Sequence, residues 1–593
     1  MSEIQTVEKI KRDKLSLVMF LVGSLGYAPQ AIKFANLSKD LRNDEQIWEG
    51  IARYRSGKNK KLRLHYYAYN GNFKRFVWLS KLGININTTT RSGYSSLMLA
   101  CVSRTRNYGH YWILQYLCTE MISQVDFRLK VRNTGITAFS LACQLHTVRE
   151  LKLLCKSTPL DVLDATCDSE TTLMSLAKYY PSKQTAEVCE ILVNYVSLNL
   201  VNKNGNSALH LACIKKNYEV IKILCKKADL NLQNEEGDTP LHIICKWIVS
   251  VTDFDEIYGH YNEAIIHDEY LKFNLSLIKL FCKYGADLRI QNLEGNTPLH
   301  IACKNLYNFD YYDQGHIQIH NSTLVIKILA INGAPLNVFN NERQTPIYLA
   351  IKQTIQVYNL EHEFSIIKLL YDMGSRVDLL TNSGDTALHL SCQVKYANHA
   401  NYVELFFKNK KYLNLKDNNG NTPIQTAINF KNYWKIDHLC YLGADMNLQN
   451  NLGNTPCHTA CLQSDIRAVQ ILCEYMFDLE IKNLRGETAL HIACRVGHPM
   501  IVELICSFSF NLNLQDMNGD TVLHTACRAG NFPVVQILSN FGALVVLPWI
   551  YNNDGDSPMR IAKNLGYFHT RQFFDQSLYN INKDLIEYKH LYL

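Results

Sequence analysis

The nine residues GNTPLHIAC, running from Gly295 to Cys303, decide how the rest of this chain is read. Copies of the pattern begin at Gly205 (GNSALHLAC), Gly237 (GDTPLHIIC), Gly384 (GDTALHLSC), Gly420 (GNTPIQTAI), Gly453 (GNTPCHTAC), Gly486 (GETALHIAC) and Gly519 (GDTVLHTAC). The motif threonines Thr422, Thr455, Thr488 and Thr521 follow one another at intervals of 33 residues. Weaker copies sit at Ser95, Thr137, Thr171, Thr345 and Ser557, and the run from Leu64 to Ala68 is a worn first copy, which makes about fourteen units. At 593 residues the chain is longer than one core usually supports, so a stacked array is the economical reading.

Each motif residue has a local task. Thr297 can accept a hydrogen bond from an unpaired amide of a first helical turn, and Pro298 suits the next position because its φ is already helical and its missing donor is not needed there. Leu299 and Ala302 then fall on one helix face, the alanine allowing a neighbouring helix to come close. A second apolar run, such as 275–281 in the preceding unit, ends near a glycine, here Gly285. Asp287 to Ile290 alternates polar and apolar residues before the turn sequence 292–295, so an extended arm closes the unit. The expected unit is helix, helix, hairpin.

With these residues in place, the chain resembles the ankyrin family, whose 33-residue T-P-L-H-x-A signature extends over roughly 61–575. The resemblance implies an all-α solenoid of stacked helix pairs joined by short β-hairpins, whose concave surface grips partner proteins. Because neighbours alone hold such a stack together, its end units need polar outer faces, and the worn units near Leu64 and Ser557 fit that role.

Histidines recur at one motif position: His210, His242, His300, His389, His458, His491 and His524. One ring per unit places neighbours about 8–10 Å apart, too far to share a metal whose ligand nitrogens stand about 2 Å from it, so a ring bonded to local backbone or to the motif threonine is expected. Of the 19 cysteines, nine share the motif position of Cys303 and seven close the second apolar run, as Cys473 does. They read as small buried packing groups in a reducing, cytoplasmic setting. No phosphate loop, H-E-x-x-H, G-x-S-x-G or kinase signature is found, and the net charge of +7 from 61 basic and 54 acidic residues is too small for a nucleic-acid footprint. No catalytic residue, metal or cofactor is expected, and the expected partners are proteins.

The period breaks in three places. Motif threonines are 58 residues apart from Thr239 to Thr297, 48 from Thr297 to Thr345 and 41 from Thr345 to Thr386. The extra residues fall between the first and second helices, at about 246–274, 304–321 and 352–363, and are expected to form one lobe. The partner-binding candidates there are Trp247, Tyr258, Tyr261, Tyr270, Tyr307, Phe309, Tyr311 and Tyr312, since aromatic residues bury much area with little entropy loss. Packing of the lobe against itself is the competing reading.

Residues 1–60 do not repeat. The segment 32–41 with Gln46-Ile47-Trp48 resembles the latter half of an F-box, without its Leu-Pro opening. That resemblance implies recruitment of a ubiquitin ligase, against the alternative of a plain helical cap. The apolar run from Leu15 to Ala28 is too short to span a bilayer, and no membrane role is expected. Residues 576–593 form a tail or cap. The sequence therefore predicts a monomeric protein-binding scaffold or adaptor, with the substrate-recognition subunit of a ubiquitin ligase as the alternative.

Overall fold

The computed structural model describes residues 60–576, apart from 82–83, 103–107, 133, 165–169, 179–181, 248–274, 306–314, 355–360, 394–405, 407–409, 476, 509–510 and 544–549. The chain divides into two compact units, one of residues 1–301 with 331–333, the other of 302–330 with 334–593. Both are built from short helix pairs.

In the second unit the pairs run Pro423–Asn429 with Tyr433–Tyr441, Pro456–Leu462 with Ile466–Cys473, Ala489–Val496 with Pro499–Phe508, and Val522–Ala529 with Phe532–Asn540. The first helix of each pair starts at the motif threonine. Thr488 accepts from the His491 amide, and its own amide donates to His491 Nδ1. These are two of the donors a helix start leaves over, so the pair closes both sides of the cap. The remaining motif residues go inward: Leu490, Ile492, Ala493 and Cys494 are all buried, and Ile501, Val502, Ile505 and Cys506 answer them from the second helix. Each large aliphatic side chain buried in this way contributes about 1.5–3 kcal/mol. The turn between the helices needs a left-handed residue, supplied by Gly497 and Gly530 and elsewhere by Lys216, Lys431 and Ser464.

The first unit repeats the plan in the pairs Ala208–Ile214 with Tyr218–Leu224 and, before it, Thr172–Ala177 with Lys183–Leu192. Its first described helices, Lys60–Tyr69 and Phe73–Lys81, carry exposed Lys74 and Arg75, and the Arg75 guanidinium lies 5.7 Å from the Tyr67 ring centroid.

The arms differ from hairpin ladders. Among the described residues, bridge pairing occurs at Thr89 with Ser95 and Val201 with Ser207 and does not lengthen into strands. The arm is too short for a ladder because its turn is closed by a side chain. Asn292 Oδ1 accepts from the amides of Glu294 and Asn296, and the Asn292 amide donates to the Asn296 carbonyl at 2.9 Å. The Gly295 amide donates to the Asn292 carbonyl within the turn, and the Leu293 amide to the Glu236 carbonyl of the preceding repeat at 3.0 Å.

One core position breaks the apolar pattern. Lys435 stands where Ala468, Ile501 and Val534 stand in the following repeats, fully buried, and its ammonium donates to the Ser391 carbonyl near the end of the helix Ala387–Gln393. Burial holds this amine down to about 8.

Around the second and third insertions some of the flanking helices are longer. The helix Gly315–Ile331 includes residues 315–321 of the second insertion, and Pro346–Thr354 and Glu361–Asp372 take in both ends of the third.

Candidate interaction surface

Tyr258, Tyr261, Tyr270, Tyr307, Phe309, Tyr311 and Tyr312 lie outside the described residues, as do residues 1–59 and the tail beyond 576. Trp247 closes the helix Pro240–Trp247. The candidate surface has to be built from the repeats themselves.

It begins with the motif histidine, which the sequence marks as structural and which ties consecutive repeats together. His491 Nδ1 accepts from Thr488, and its Nε2 donates to the Asp520 carbonyl of the next arm at 3.1 Å. His458 reaches Glu487 and His524 reaches Asp556 in the same way, both at 3.0 Å, while in the first unit His210 reaches Asp238 at 3.1 Å. The repeat at Thr422 shows which tautomer this requires, because Gln425 occupies the histidine position. Its Oε1 accepts from the Thr422 amide and its Nε2 donates to the Asn454 carbonyl at 2.7 Å. The amide copies a neutral imidazole protonated on Nε2. Burial pushes His210, His458, His491 and His524 below the usual histidine range, partly opposed by those carbonyl hydrogen bonds. With both nitrogens committed inside the frame, the rings are connectors.

Further ties fix the arms. Asn447 Oδ1 accepts from the Asp478 amide at 2.9 Å, and Asn414 holds Asp445 in the same way. Asn483 Nδ2 reaches back to Asn454 Oδ1 at 3.1 Å. At the tips, the Leu484 amide donates to the Leu452 carbonyl at 3.2 Å and the Met517 amide to the Arg485 carbonyl at 3.1 Å. Gly453 and Gly486 permit this approach. Both have positive φ, and a Cβ there would meet the next tip's amide nitrogen at 2.5 and 2.7 Å.

Of the two side chains that each turn projects at its tip, some tie back to the neighbouring turn, as Asn451 Nδ2 does to the Asn418 carbonyl at 2.8 Å, and others are left exposed. In the second unit these include Leu452, Leu484 and Met517, which are 66%, 63% and 68% exposed, followed by the exposed Tyr551 at the base of the next turn. Cationic heads flank them. Lys482 and Arg485 are exposed, and Arg495 and Arg528 fold back along their helices to Glu487 at 3.0 Å and Asp520 at 2.8 Å. Those two carboxylates are nearly enclosed, with 9% and 5% of their side chains exposed, whereas the guanidiniums are about half exposed. Burial alone would raise the Glu487 carboxyl, but its bonds to Asn483 and Arg495 outweigh that and hold it below the usual range. Towards solvent the face shows apolar tips and positive charge.

The cysteines form no part of this face. All 18 within the described residues are free thiols, and burial raises Cys392 to about 11 and pushes Cys494 and Cys527 well above the usual thiol range. Among the described residues, no helix is long and apolar enough to cross a membrane.

Sequence reasoning placed the frame residues correctly and missed the tips. A lone leucine in a turn is an ordinary exposed residue, and only the stacking of arms turns three of them into a stripe.

Comparison with known proteins points the same way as the geometry. A family model described as ankyrin repeats (3 copies) matches residues 173–250, 355–450 and 427–516, and one described as a single ankyrin repeat matches 518–547. Protein phosphatase 1 regulatory subunit 27 of Homo sapiens is 48% identical over 44 residues, which is 7% of this chain and 29% of that protein. Notch-regulated ankyrin repeat-containing protein A of Danio rerio is 42% identical over 46 residues, 8% of this chain and 41% of that protein. The chain thus spans between about a quarter and two-fifths of the length of these curated relatives.

Proposed function

This chain is an ankyrin-repeat protein, and from that premise we propose that it works without catalysis, as a scaffold or adaptor that holds partner proteins. The observation that carries the reading is the division of labour within the repeat. Histidine, threonine, asparagine and glycine are consumed in holding neighbouring repeats together, while Leu452, Leu484 and Met517 project side chains that stay mostly exposed. Surface that is built rigidly and left unsatisfied is what recognition uses. A relative named as a regulatory subunit of a phosphatase accords with a binding role. We extend the reading to the insertion aromatics Trp247, Tyr258, Tyr261, Tyr270, Tyr307, Phe309, Tyr311 and Tyr312 as a second contact region.

The test is affinity capture with the full chain, the tip variant Leu484→Asp/Met517→Asp, and a variant with the insertion tyrosines replaced by serine. Bound proteins should be lost from one or both variants while helical content and melting stay as in the parent. Unchanged capture by both would overturn the assignment of these surfaces.

A further inference from the structure

Resting on the binding role proposed above, we infer that the face formed by the tips Leu452, Leu484 and Met517 takes an acidic, extended segment of a partner protein that carries two apolar side chains three residues apart.

The backbone of the tips sets the first condition. The Leu452 and Arg485 carbonyls and the Leu484 and Met517 amides are already paired with one another along the stack. A partner therefore cannot add to this edge as a strand, and recognition falls to side chains. An extended segment of the polyproline II kind needs no such edge, because its own backbone stays solvated.

Spacing sets the second condition. Leu484 and Met517 occupy equivalent positions one repeat, 33 residues, apart, and neighbouring packed helices stand about 8–10 Å from each other. Three residues of polyproline II advance about 9 Å and return to the same side. Two apolar side chains three apart can therefore lie against Leu484 and Met517 together, with Leu452 closing the nearer contact across its hydrogen bond to Leu484.

Charge sets the third. The exposed heads beside the stripe that no carboxylate balances among the described residues are those of Lys482, which donates to the Gln515 carbonyl at 2.7 Å, and Arg485, whereas Arg495 and Arg528 are paired with Glu487 and Asp520. The carboxylates beneath them are committed elsewhere. Glu487 is held by Asn483 and Arg495, Asp520 by Asn552 and Arg528, and Asp516 accepts from the amides of Asn518 and Asp520. A ligand with carboxylates between its apolar anchors meets the charges of Lys482 and Arg485 on either side of Leu484, whereas a basic ligand meets repulsion there.

The experiment uses the full chain and fluorescent peptides of about twelve residues, followed by anisotropy. One peptide sets two leucines three apart among glutamate and proline; a second puts lysine in place of glutamate; a third places the leucines side by side. The first should bind, at least tenfold tighter than the third, and lose affinity as salt rises, with no binding of the second. Arg485→Glu should weaken it at least tenfold, and Leu484→Asp/Met517→Asp should abolish it with unchanged circular dichroism and melting. Equal binding of the glutamate and lysine peptides, or binding that ignores both variants, would overturn the inference. If the tip variant loses its captured proteins while no acidic peptide binds, the ligand chemistry is wrong and the binding role stands. If the tip variant captures proteins as before, the tip face is excluded as the site.

Discussion

The turns of the first unit and those of the second share one backbone and hold out different chemistry. Residues 203–204, 235–236 and 293–294 present Lys203, Asn204, Glu235, Glu236, Leu293 and Glu294, whereas 451–452, 484–485 and 517–518 present Asn451, Leu452, Leu484, Arg485, Met517 and Asn518. Beneath both lies the same closed turn, with an asparagine or aspartate accepting two amides and a glycine at positive φ. The difference teaches that frame and display are largely separable: the frame is repeated because the stack demands it, and the display varies wherever a tip side chain, unlike that of Asn451, takes no part in the stack.

The sharpest way to break this comparison is to attack the shared frame on both sides. Gly486→Val puts a branched side chain at φ +72° against the Met517 amide, and Gly237→Val does the same at φ +73° against the Leu293 amide. Each should cost about 3 kcal/mol or more of local stability. Hydrogen exchange of the two adjoining repeats would measure it, and a large loss in one unit with none in the other would show that the frames differ.

Next in size is the histidine connector. His491→Ala leaves the Thr488 amide without its partner and the Asp520 carbonyl with the Asp516 amide alone, and should cost about 2–3 kcal/mol, while His491→Gln should stay within about 1 kcal/mol because Gln425 already makes the same two bonds. The pH dependence follows from the direction of the shift. With the folded ring below the usual histidine value, the unfolded chain binds the proton more readily. Stability is therefore fully present above about pH 6.5 and is lost as the pH falls from there towards the folded value. Melting measured from pH 7.5 to 5 should fall, and histidine-to-glutamine replacement at several motif positions should flatten the fall.

A smaller effect of opposite sign is expected at Lys435, where the core has accepted an amine. Lys435→Met should raise stability by about 1–2 kcal/mol, the saved burial cost exceeding the lost bond to Ser391, as thermal melting at pH 7 would show. Smallest is the display itself. Leu484→Glu/Met517→Glu, which puts at these positions the glutamate that Glu235 supplies at the equivalent place in the first unit, should change stability by less than about 0.5 kcal/mol while removing partner capture.

Much of the frame was legible in the sequence. The Thr-Pro-Leu-His run announces a capped helix with one buried face, and a ring at Thr488-x-x-His491 spacing has the hydroxyl within reach. The longer ties were not legible, because the Asn447 to Asp478 bond joins residues that only stacking brings together. Lys435 was hidden for a different reason: a lysine in an amphipathic helix reads as solvated, and its burial is decided by the preceding repeat's carbonyl. The tips were not legible because the composition of their turns is ordinary, and only stacking sets Leu452, Leu484 and Met517 side by side.

The tip bonds carry one more consequence. From Asn451 to Asn419, Leu484 to Leu452, Met517 to Arg485 and Asn553 to Asn518, every amide points towards the lower-numbered repeat. The row has a grain, like a fibre with a head and a tail. A repeat grafted beyond Asn553 would have to bring a donor, and one grafted before Asn419 an acceptor. Modules cut from this array can thus be rejoined in order but not in reverse, and the order in which a partner meets Leu452, Leu484 and Met517 is written into the backbone before any side chain is chosen.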